Sequence, residues 1–501
     1  MTHPTKFRWP SVARRLAAVA SLALAASCDD FIEPRPTDVL APENFYQSSA
    51  DATAAVNGVY EQARWSYFLN YWYIADVATD EVLASPNFGP DGHRASNYTF
   101  DAQEGFINGF WTDTYRTINR ANAVIDRVPG IAMDEATKTR ILGEARFLRA
   151  LSYFNLVRLF GDVPLLEREV TSLADVNVAR TPAAQVYTLI QSDLQAAATA
   201  LPASYTGADV GRATAGAARA LLAKVYLTQQ NWTQAAALAG QVMTGGRYSL
   251  LANFKDNFRI ASELANAESI FELNYDGVLT PGAGSVVTLF ALPAGYPGGD
   301  AYGLLEVLPS TASRFAAADK RGLGASFITS GYTDAAGRVV RWALPAGATI
   351  QKYLDESNTQ NMNSRGWAQQ SNNWIVLRYA DVLLMYAEAV NEGGTAAGMT
   401  KEAALNAVRE RAGLSPVAGL SQAAFRDSVR VERQRELLFE GHRWFDLARW
   451  GTLDAVIRAK TTEVAARYPG ETTPHGVRSP LLPIPQPEIN LNPLLTQNSG
   501  W

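Results

Sequence analysis

The sequence predicts a mainly α-helical fold, in which tetratricopeptide-like helical pairs form a scaffold that is interrupted by one irregular, loop-rich insertion with short β-hairpins. Apolar residues recur at helical spacing through most of the chain, which indicates helices with a buried stripe. Tight turns separate several of these helices, so consecutive helices should pack antiparallel. Residues 271–374 break the pattern, because glycine, proline and aromatic residues dominate there and short β signals replace the helical spacing.

Composition and charge exclude several classes of protein. Of the 501 residues, 47% are hydrophobic and 19% are charged, which is typical of a globular protein. The formal net charge is −5, and it becomes −9 without residues 1–27, because that segment holds four basic residues and no acidic one. A mildly acidic chain without a basic run argues against nucleic-acid binding and against electrostatic docking on anionic lipid.

Residues 1–27 have the features of an export signal. Basic residues precede the apolar run Leu16–Ala26, which is too short to span a bilayer. The single cysteine of the chain, Cys28, follows this run directly and resembles the lipoprotein signal, in which the cysteine is acylated and becomes the mature amino terminus. Cys28 is therefore the predicted lipidation site, with Ala25 at the position where such signals usually carry leucine. The alternative is ordinary cleavage near Ala26, which would leave Cys28 as a free thiol.

The acyl chains on Cys28 are the expected membrane anchor, since no later segment of the sequence is long and apolar enough to cross a bilayer. Each buried methylene adds about 0.8 kcal/mol of membrane affinity, so several chains hold a protein firmly. Residues 28–42 would form the acylated cysteine and its tether. Asp29 and Asp30 either accompany surface export, as in similar lipoproteins, or simply solvate the tether.

Capping residues and glycine or proline stops place the helices of an N-terminal region, residues 43–270. The predicted helices there span about Ser49–Tyr60, Phe106–Val128, Ala136–Phe160, Pro182–Leu201, Ala215–Gln229 and Trp232–Met243. The helix over 136–160 is apolar around most of its circumference and should pack on more than one side. The last two helices carry the clearest repeat signature, because Leu222-Ala223, Tyr226 and Ala235 follow the tetratricopeptide pattern of closely approaching helices.

A C-terminal region, residues 375–501, continues the helical pattern. Tyr379–Asn391 and Lys401–Arg411 form a further predicted pair across Gly393-Gly394, and a single long helix is predicted over Ser421–Trp450. The proline-rich segment 479–487 should run extended over the helices. No fixed period emerges, so the scaffold is a degenerate helical repeat at best.

Residues 271–374 are predicted to form an aromatic, loop-rich insertion between these two regions. Glycine and proline cluster at 280–284 and 293–299, and a β-hairpin is predicted at Tyr332–Gly337, leading into 338–342. A segment of this length is either a functional loop system or disordered, and its aromatic content favours the ordered alternative.

Blocks of sequence along the whole chain match one family in order and spacing. They are Phe31-Ile-Glu-Pro34, 143–165 (from Gly-Glu-Ala-Arg-Phe-Leu-Arg to Phe-Gly-Asp-Val-Pro-Leu), 211–214 before 220–227, 378–389, 432–447, Leu482-Pro-Ile-Pro485 and 492–498. In these blocks the chain resembles the SusD/RagB family across essentially all of residues 28–501. The resemblance implies one SusD-like unit, with four tetratricopeptide-type helical pairs and an irregular loop-rich face.

The resemblance also implies a function. Members of this family bind glycans or other oligomeric nutrients at the cell surface and close over a SusC-like, TonB-dependent β-barrel transporter. We therefore expect a lipid-anchored outer-membrane protein, facing the cell exterior, that binds an oligosaccharide or similar nutrient without turnover. The expected partners are the barrel and the nutrient, with the membrane contacted through the lipid only. No cofactor is expected beyond the lipid on Cys28, and a structural calcium ion is left open.

The charged residues of the matching blocks should lie on tightly packed helices. Buried charges persist when they are paired, so an Arg–Glu network in the scaffold is favoured over a paired-carboxylate active site. The residues concerned are Arg146, Arg149, Glu432, Arg433, Arg435, Glu436, Glu440 and Arg443.

The ligand site is predicted on loops that combine aromatic and polar side chains, because sugars stack their C–H faces on rings and satisfy their hydroxyls with polar groups. Two segments qualify, 86–98 and the insertion. In the first, the candidate contacts are Phe88, His93, Arg94, Asn97 and Tyr98. In the second, they are Tyr296, Tyr302, Trp342, Trp367 and Trp374. For any one of these aromatic residues, packing within its own loop is favoured over contact with a ligand. From the group as a whole, at least a few ligand contacts are expected.

Other functions find less support in the sequence. The four histidines are scattered, and there is no HExxH motif, Cys–His zinc cluster, nucleophile elbow, P-loop or dinucleotide fingerprint. His442 stands among charged helical residues and is predicted to be structural. A surface glycoside hydrolase with paired carboxylates is the enzymatic alternative, since sequence spacing does not reveal carboxylate separation. A tetratricopeptide scaffold that binds only protein partners is a further alternative, but it does not explain the anchor or the insertion.

Overall fold

The computed structural model describes residues 45–85, 88–172, 175–263, 266–276, 284–291, 302–329, 332–333, 339–340, 348–355, 370–396 and 398–501. Helices dominate these ranges, as predicted. They are α1 Ser49–Phe68, α2 Asn70–Trp72, α3 Pro90–Ser96, α4 Gly105–Arg127, α5 Glu135–Phe160, α6 Ala183–Ala200, α7 Ala215–Thr228, α8 Trp232–Thr244, α9 Val287–Ala291, α10 Pro309–Ala312, α11 Tyr379–Asn391, α12 Lys401–Arg411, α13 Gln422–Glu436, α14 Arg443–Arg449, α15 Leu453–Arg467 and α16 Gln486–Leu491. A π-helical turn, Tyr73–Val77, follows α2.

The capping signals of the sequence account for where the long helices begin. Ser48 and Asp51 form a reciprocal capping box at α1, in which each side chain accepts from the other residue's backbone N–H. Asp134 and Thr214 cap α5 and α7 in the simpler way, with one side-chain oxygen accepting a backbone N–H. Pro182 differs from the prediction, because it is the residue before α6 and not part of its first turn.

Successive long helices pack on one another and form the scaffold. α1 packs on α4, and the contacts then continue in order from α4 to α5, α6, α7 and α8. α8 packs on α11, which also contacts α12 and α13, so the helices before and after the insertion form one continuous series. The turn before α12 can approach α8 because residue 394 is glycine; a Cβ there would lie 2.6 Å from the carbonyl oxygen of Trp232.

The predicted long helix over Ser421–Trp450 is wrong. α13 ends at Glu436, α14 begins at Arg443, and the turn 437–442 separates them. Two residues of this turn have left-handed backbone conformations, Phe439 with φ 62° and Gly441 with φ 73°. A Cβ on Gly441 would lie 2.6 Å from the ring of Tyr71, so glycine is required there. Contacts with distant segments hold this turn and override the local helical pattern.

The strands form five two-stranded antiparallel sheets within the described ranges. They are β1 Val82–Ala84 with β5 Leu305–Val307, β2 Val163–Pro164 with β3 Arg180–Thr181, β4 Ser269–Leu273 with β10 Trp374–Arg378, β6 Phe327–Ile328 with β9 Thr349–Ile350, and β7 Tyr332–Thr333 with β8 Val339–Val340. The β7–β8 pair confirms the predicted hairpin. The β4–β10 pair brings the two ends of the insertion side by side, and β1–β5 fastens the insertion to the segment that follows α1.

The carboxyl-terminal segment runs over the scaffold, as predicted. Residues 479–485 are not helical, as predicted, but the prediction is wrong for Gln486 and Pro487, which begin α16. Leu482 N donates to the carbonyl of Leu159 at 2.8 Å. The amide of Asn498 donates to the carbonyls of Phe160 and Leu482 at 3.0 and 2.7 Å. The segment therefore covers the end of α5.

A buried cluster of charges joins the insertion to the scaffold, and we call it the central ionic cluster. Arg378 of β10 is its hub, since the guanidinium contacts Glu268 at 2.9 Å, Glu436 at 2.5 Å and Glu440 at 2.6 Å. Positive and negative side chains are equal in number among the described members. These are Arg321, Lys352, Arg378, Arg409 and Arg411 with Glu268, Asp319, Glu432, Glu436 and Glu440.

The predicted network is thus confirmed for Glu432, Glu436 and Glu440, but several arginines bind aspartate instead of glutamate. Arg149 pairs with Asp193 at 2.7 Å, Arg433 with Asp381 and Asp446 at 2.8 Å, and Arg443 with Asp80 at 2.7 Å. Arg435 donates to the carbonyl of Arg314 at 2.8 Å, and Arg146 is only partly buried.

We predict that Arg378→Met lowers the free energy of unfolding by roughly 3–5 kcal/mol, because it leaves Glu268, Glu436 and Glu440 short of their common cation in the interior. Urea unfolding followed by circular dichroism measures this change. The matched control is Arg116→Met, which removes a 64% exposed arginine paired with Asp113 at 3.3 Å and should change stability by no more than about 0.5 kcal/mol. Equal transition midpoints for the two variants would show that the cluster is not a stabilising hub.

Candidate ligand-binding cleft

Two of the segments singled out in the sequence meet in one cleft. Its volume is about 520 Å³, within the range of about 300–1,000 Å³ that small-molecule sites occupy. The lining residues come from the π-helical turn, the start of α3, α9 and the chain before β5. They are Tyr73, Phe88, Gly89, Pro90, Asp91, Gly92, Phe290, Tyr302 and Leu304, and we call the site the Tyr302 cleft.

Aromatic rings form the base of this cleft. Tyr73 lies stacked on Phe106, with ring centroids 5.2 Å apart and planes at 15°. Phe88 is 5.3 Å from Tyr73 and 6.3 Å from Phe290, so the three rings are contiguous. Offset and edge-on contacts of this kind contribute about 0.5–1.5 kcal/mol each beyond the area they bury. The base is therefore rigid and apolar.

Gly92 allows Phe88 to take its place in this base. A Cβ at position 92 would lie 2.3 Å from the ring of Phe88, so the ring fits under α3 only because that residue is glycine. Phe88 is consequently buried, with 4% of its surface exposed, and meets the cleft only along part of the ring. The sequence prediction that Phe88 lies at a ligand site is compatible with this position, although its main role is packing.

Tyr302 presents the exposed ring of the cleft. Its side chain is 41% exposed and stands edge-on to Phe290, with ring centroids 6.0 Å apart. Backbone bonds fix its position, since Tyr302 N donates to the carbonyl of Leu289 at 2.9 Å and Leu304 N to that of Phe290 at 3.1 Å. An exposed ring on a fixed backbone is what stacking on a sugar requires.

The polar side of the cleft is formed by the start of α3. The carboxylate of Asp91 is exposed and forms an ion pair of 2.5 Å with Arg94, which also binds Glu104 through two nitrogens. Burial, and then the charge of Asp91, raises the pKa of the Tyr73 hydroxyl far above its usual range, so this hydroxyl stays neutral. The cleft thus offers one carboxylate and tyrosine hydroxyls to a ligand.

Two buried carboxylates that follow Tyr73 in the chain are held by the turn 437–442. Asp76 accepts from Gly441 N at 2.9 Å, and Glu81 accepts from Phe439 N at 3.0 Å. Burial raises the pKa of Asp76 to about 7; burial and the neighbouring Asp76 raise the pKa of Glu81 well above its usual range. Two such groups hold a proton at neutral pH more readily than exposed carboxyls do. Their contacts are structural, because both are buried.

Three of the predicted contact residues are buried, and each of them contacts other parts of the protein. Tyr98 is 2% exposed; its ring stacks on Trp444 at 5.7 Å and its hydroxyl donates to the carbonyl of Ser479 at 3.0 Å. Asn97 is 5% exposed and its amide donates to Glu471 O at 3.4 Å. Trp374 is 2% exposed in β10, within stacking distance of Tyr353. Aromatic and amide side chains in these segments face the core because the loops fold back on the scaffold.

The other predicted residues divide into two groups. His93 and Arg94 are partly exposed on α3 beside the cleft but do not line it; the nearest carboxylate oxygen to His93 Nδ1 is that of Glu471, at 3.8 Å. Tyr296, Trp342, Trp367 and the lipidation site Cys28 lie outside the described residues, so these predictions stand as made. Among the predicted aromatic residues that the structure describes, Tyr302 is the one that is both exposed and in the cleft.

Sequence reasoning missed Tyr73 and Phe290 as cleft residues. Tyr73 lies in the π-helical turn, which the helical spacing of the sequence does not reveal. Phe290 and Tyr302 flank the glycine- and proline-rich stretch 293–299, and that flanking position was the available signal.

A second groove, of about 380 Å³, lies between α1 and the end of β4. Its tyrosine hydroxyls are already engaged: Tyr275 donates to Arg64 O at 2.8 Å, and Tyr60 accepts from Ala213 N at 3.0 Å. Arg212 is bound to Asp209, Glu144 and Asn57. Because these groups are satisfied within the protein, the Tyr302 cleft is the better candidate.

His442 is buried, as expected of a structural histidine. Its Nδ1 lies 2.9 Å from Lys224 Nζ, and burial, with Lys224 beside it, lowers the pKa of the imidazole to about 3. Among the described residues, no group of three or more His, Cys, Asp or Glu side chains is placed to hold a metal ion.

None of the described helices combines the length and the apolar character needed to cross a membrane.

Two family models match the chain. The model described as the SusD family matches residues 327–501, and the model described as starch-binding, associating with the outer membrane, matches residues 30–227. A SusD-like protein of Formosa agariphila, P25, is 31% identical over 523 aligned residues, which cover 95% of this chain and 96% of that relative.

Solved structures show the same architecture. A laminarin-binding SusD-like protein superposes with a TM-score of 0.75 at 28% identity, covering 91% of this chain and 100% of that protein. A SusD homologue from Bacteroides thetaiotaomicron superposes with a TM-score of 0.77 at 27% identity, covering 92% and 98%. The mainly α, SusD-like fold expected from the sequence is therefore confirmed.

Proposed function

The chain belongs to the SusD family, and from this premise we propose that it captures oligosaccharides in the Tyr302 cleft at the outer membrane without hydrolysing them. The observation that carries the proposal is the exposed ring of Tyr302 above a rigid aromatic base. Sugars bind through C–H contacts with such rings and hydrogen bonds to nearby polar groups. A similar fold with 28% identity belongs to a laminarin-binding protein, which supports the glycan as ligand class.

Binding is favoured over hydrolysis by the chemistry of the cleft. A glycosidase ordinarily needs two carboxyl groups on either side of the scissile bond. Among the described lining residues, Asp91 is the one carboxylate, and the neighbouring acids Asp76 and Glu81 are buried and do not line the cleft. This arrangement supports capture without turnover.

The proposed position of the protein in the cell rests on its amino terminus and its family. We propose that acylated Cys28 anchors the chain in the outer membrane, with the folded body facing the cell exterior. A matching family model is described as associating with the outer membrane, which supports this location. We further propose that the body acts as the lid of a SusC-like, TonB-dependent β-barrel, as the resemblance implies.

We predict that Tyr302→Ala weakens oligosaccharide binding about tenfold, because it removes the exposed stacking surface. Isothermal titration calorimetry with laminarihexaose and maltohexaose measures the effect. Tyr302→Phe is the matched control; it keeps the ring and should stay within about threefold of the wild-type affinity. The melting temperature should change little in either variant, since Tyr302 is 41% exposed. Unchanged affinity in Tyr302→Ala would remove this cleft from the proposal.

We predict that Cys28→Ser moves the protein from the outer-membrane fraction to the soluble fraction, because the lipid is its expected anchor. Fractionation and metabolic labelling with an alkyne fatty acid measure this change; labelled wild type and unlabelled variant are expected. Membrane retention of the unlabelled variant would contradict lipid anchoring.

Affinity purification of the wild type from detergent-solubilised outer membranes tests the lid role separately, and absence of a β-barrel partner would contradict it.

A further inference from the structure

We infer that Asp91 makes the Tyr302 cleft selective for neutral oligosaccharides over glycans that carry carboxylate or sulfate groups; this rests on the function proposed above. Asp91 is the one formally charged side chain among the described residues that line the cleft. Its carboxylate is 56% exposed, so a bound ligand can reach it. The remaining lining consists of aromatic rings, Leu304, Pro90 and two glycines.

Arg94 does not compensate this charge. Its Nη2 donates to Asp91 at 2.5 Å and to Glu104 at 2.9 Å, and its Nε donates to the second oxygen of Glu104. Glu104 is buried, with 4% exposed, and it binds the guanidinium through both of its oxygens, while Arg94 itself does not line the cleft. The three side chains together carry one net negative charge. Within the described ranges, Arg94 is the one cation bound to Asp91, and it is shared with Glu104, so an incoming anion meets a carboxylate that is incompletely neutralised.

The tyrosine hydroxyls cannot supply a positive charge, and that of Tyr73 stays protonated because burial and Asp91 raise its pKa. A neutral sugar, in contrast, has hydroxyls that can donate to Asp91 in charge-assisted hydrogen bonds. A uronate or a sulfate ester replaces such a donor with a like charge close to Asp91, which is unfavourable and most strongly so at low ionic strength. The same carboxylate thus attracts one class of glycan and repels the other.

The experiment compares each neutral oligosaccharide with the form of it that carries carboxylates. Laminarihexaose and maltohexaose are each titrated beside the same oligosaccharide oxidised at C6 to the uronate, by calorimetry at low ionic strength. We expect the wild type to bind the oxidised form at least about tenfold more weakly. Asp91→Asn keeps the size of the side chain and leaves the Arg94–Glu104 pair in place. In this variant, and in Asp91→Ser, the difference in affinity between the neutral and oxidised forms (the gap) should narrow to less than about threefold.

The matched control is Asp427→Asn, which removes an exposed aspartate of α13 that does not line the cleft and should leave the tenfold gap unchanged. Raising the ionic strength to about 0.3 M should narrow the wild-type gap, because salt screens exposed charges. Equal or tighter wild-type binding of the oxidised form, or a gap that persists in both Asp91 variants, would overturn the role of Asp91 and leave glycan capture standing. Wild-type binding of neither form would overturn the proposed function itself.

Discussion

The buried guanidinium of Arg378 is the interaction on which the rest of the structure depends. It joins β10, at the end of the insertion, to Glu268 before β4, to Glu436 at the end of α13 and to Glu440 in the turn that follows. A charge taken out of water is tolerated only when its partners are all in place. The insertion, the β4–β10 sheet and the C-terminal helices must therefore assemble together, and this constraint fixes their relative positions.

The constraint reaches the cleft through the turn 437–442. Lys352 of the insertion donates to Leu438 O at 2.5 Å and binds Glu440, which holds the turn in its left-handed conformation. The turn in turn donates backbone N–H groups to Asp76 and Glu81, which follow Tyr73 in the chain. These hydrogen bonds hold the segment of chain that directly follows Tyr73. A cleft whose base is held in this way needs little reorganisation when a ligand binds, which favours affinity.

Local patterns predicted the scaffold well, and long-range contacts account for what they missed. The helices over 135–160 and 215–244 follow from periodicity and caps, which are properties of neighbouring residues. The break between α13 and α14 does not, because it depends on Lys352, Asp76 and Glu81, far away in the chain. The same distinction applies to the site: the segments near 88 and 302 were predicted, but the burial of Tyr98 and Trp374 depends on which side of each loop meets the core.

The account as a whole holds that a rigid scaffold presents the Tyr302 cleft to a glycan and leaves that glycan intact. A crystal structure of the protein grown with a neutral hexasaccharide tests this claim most directly. We expect an unbroken sugar chain stacked on Tyr302 within hydrogen-bonding distance of Asp91, and a central ionic cluster with the same pairs as in the free protein. A ligand seated in the groove of Tyr60 and Tyr275, or one shortened by cleavage, would contradict the account.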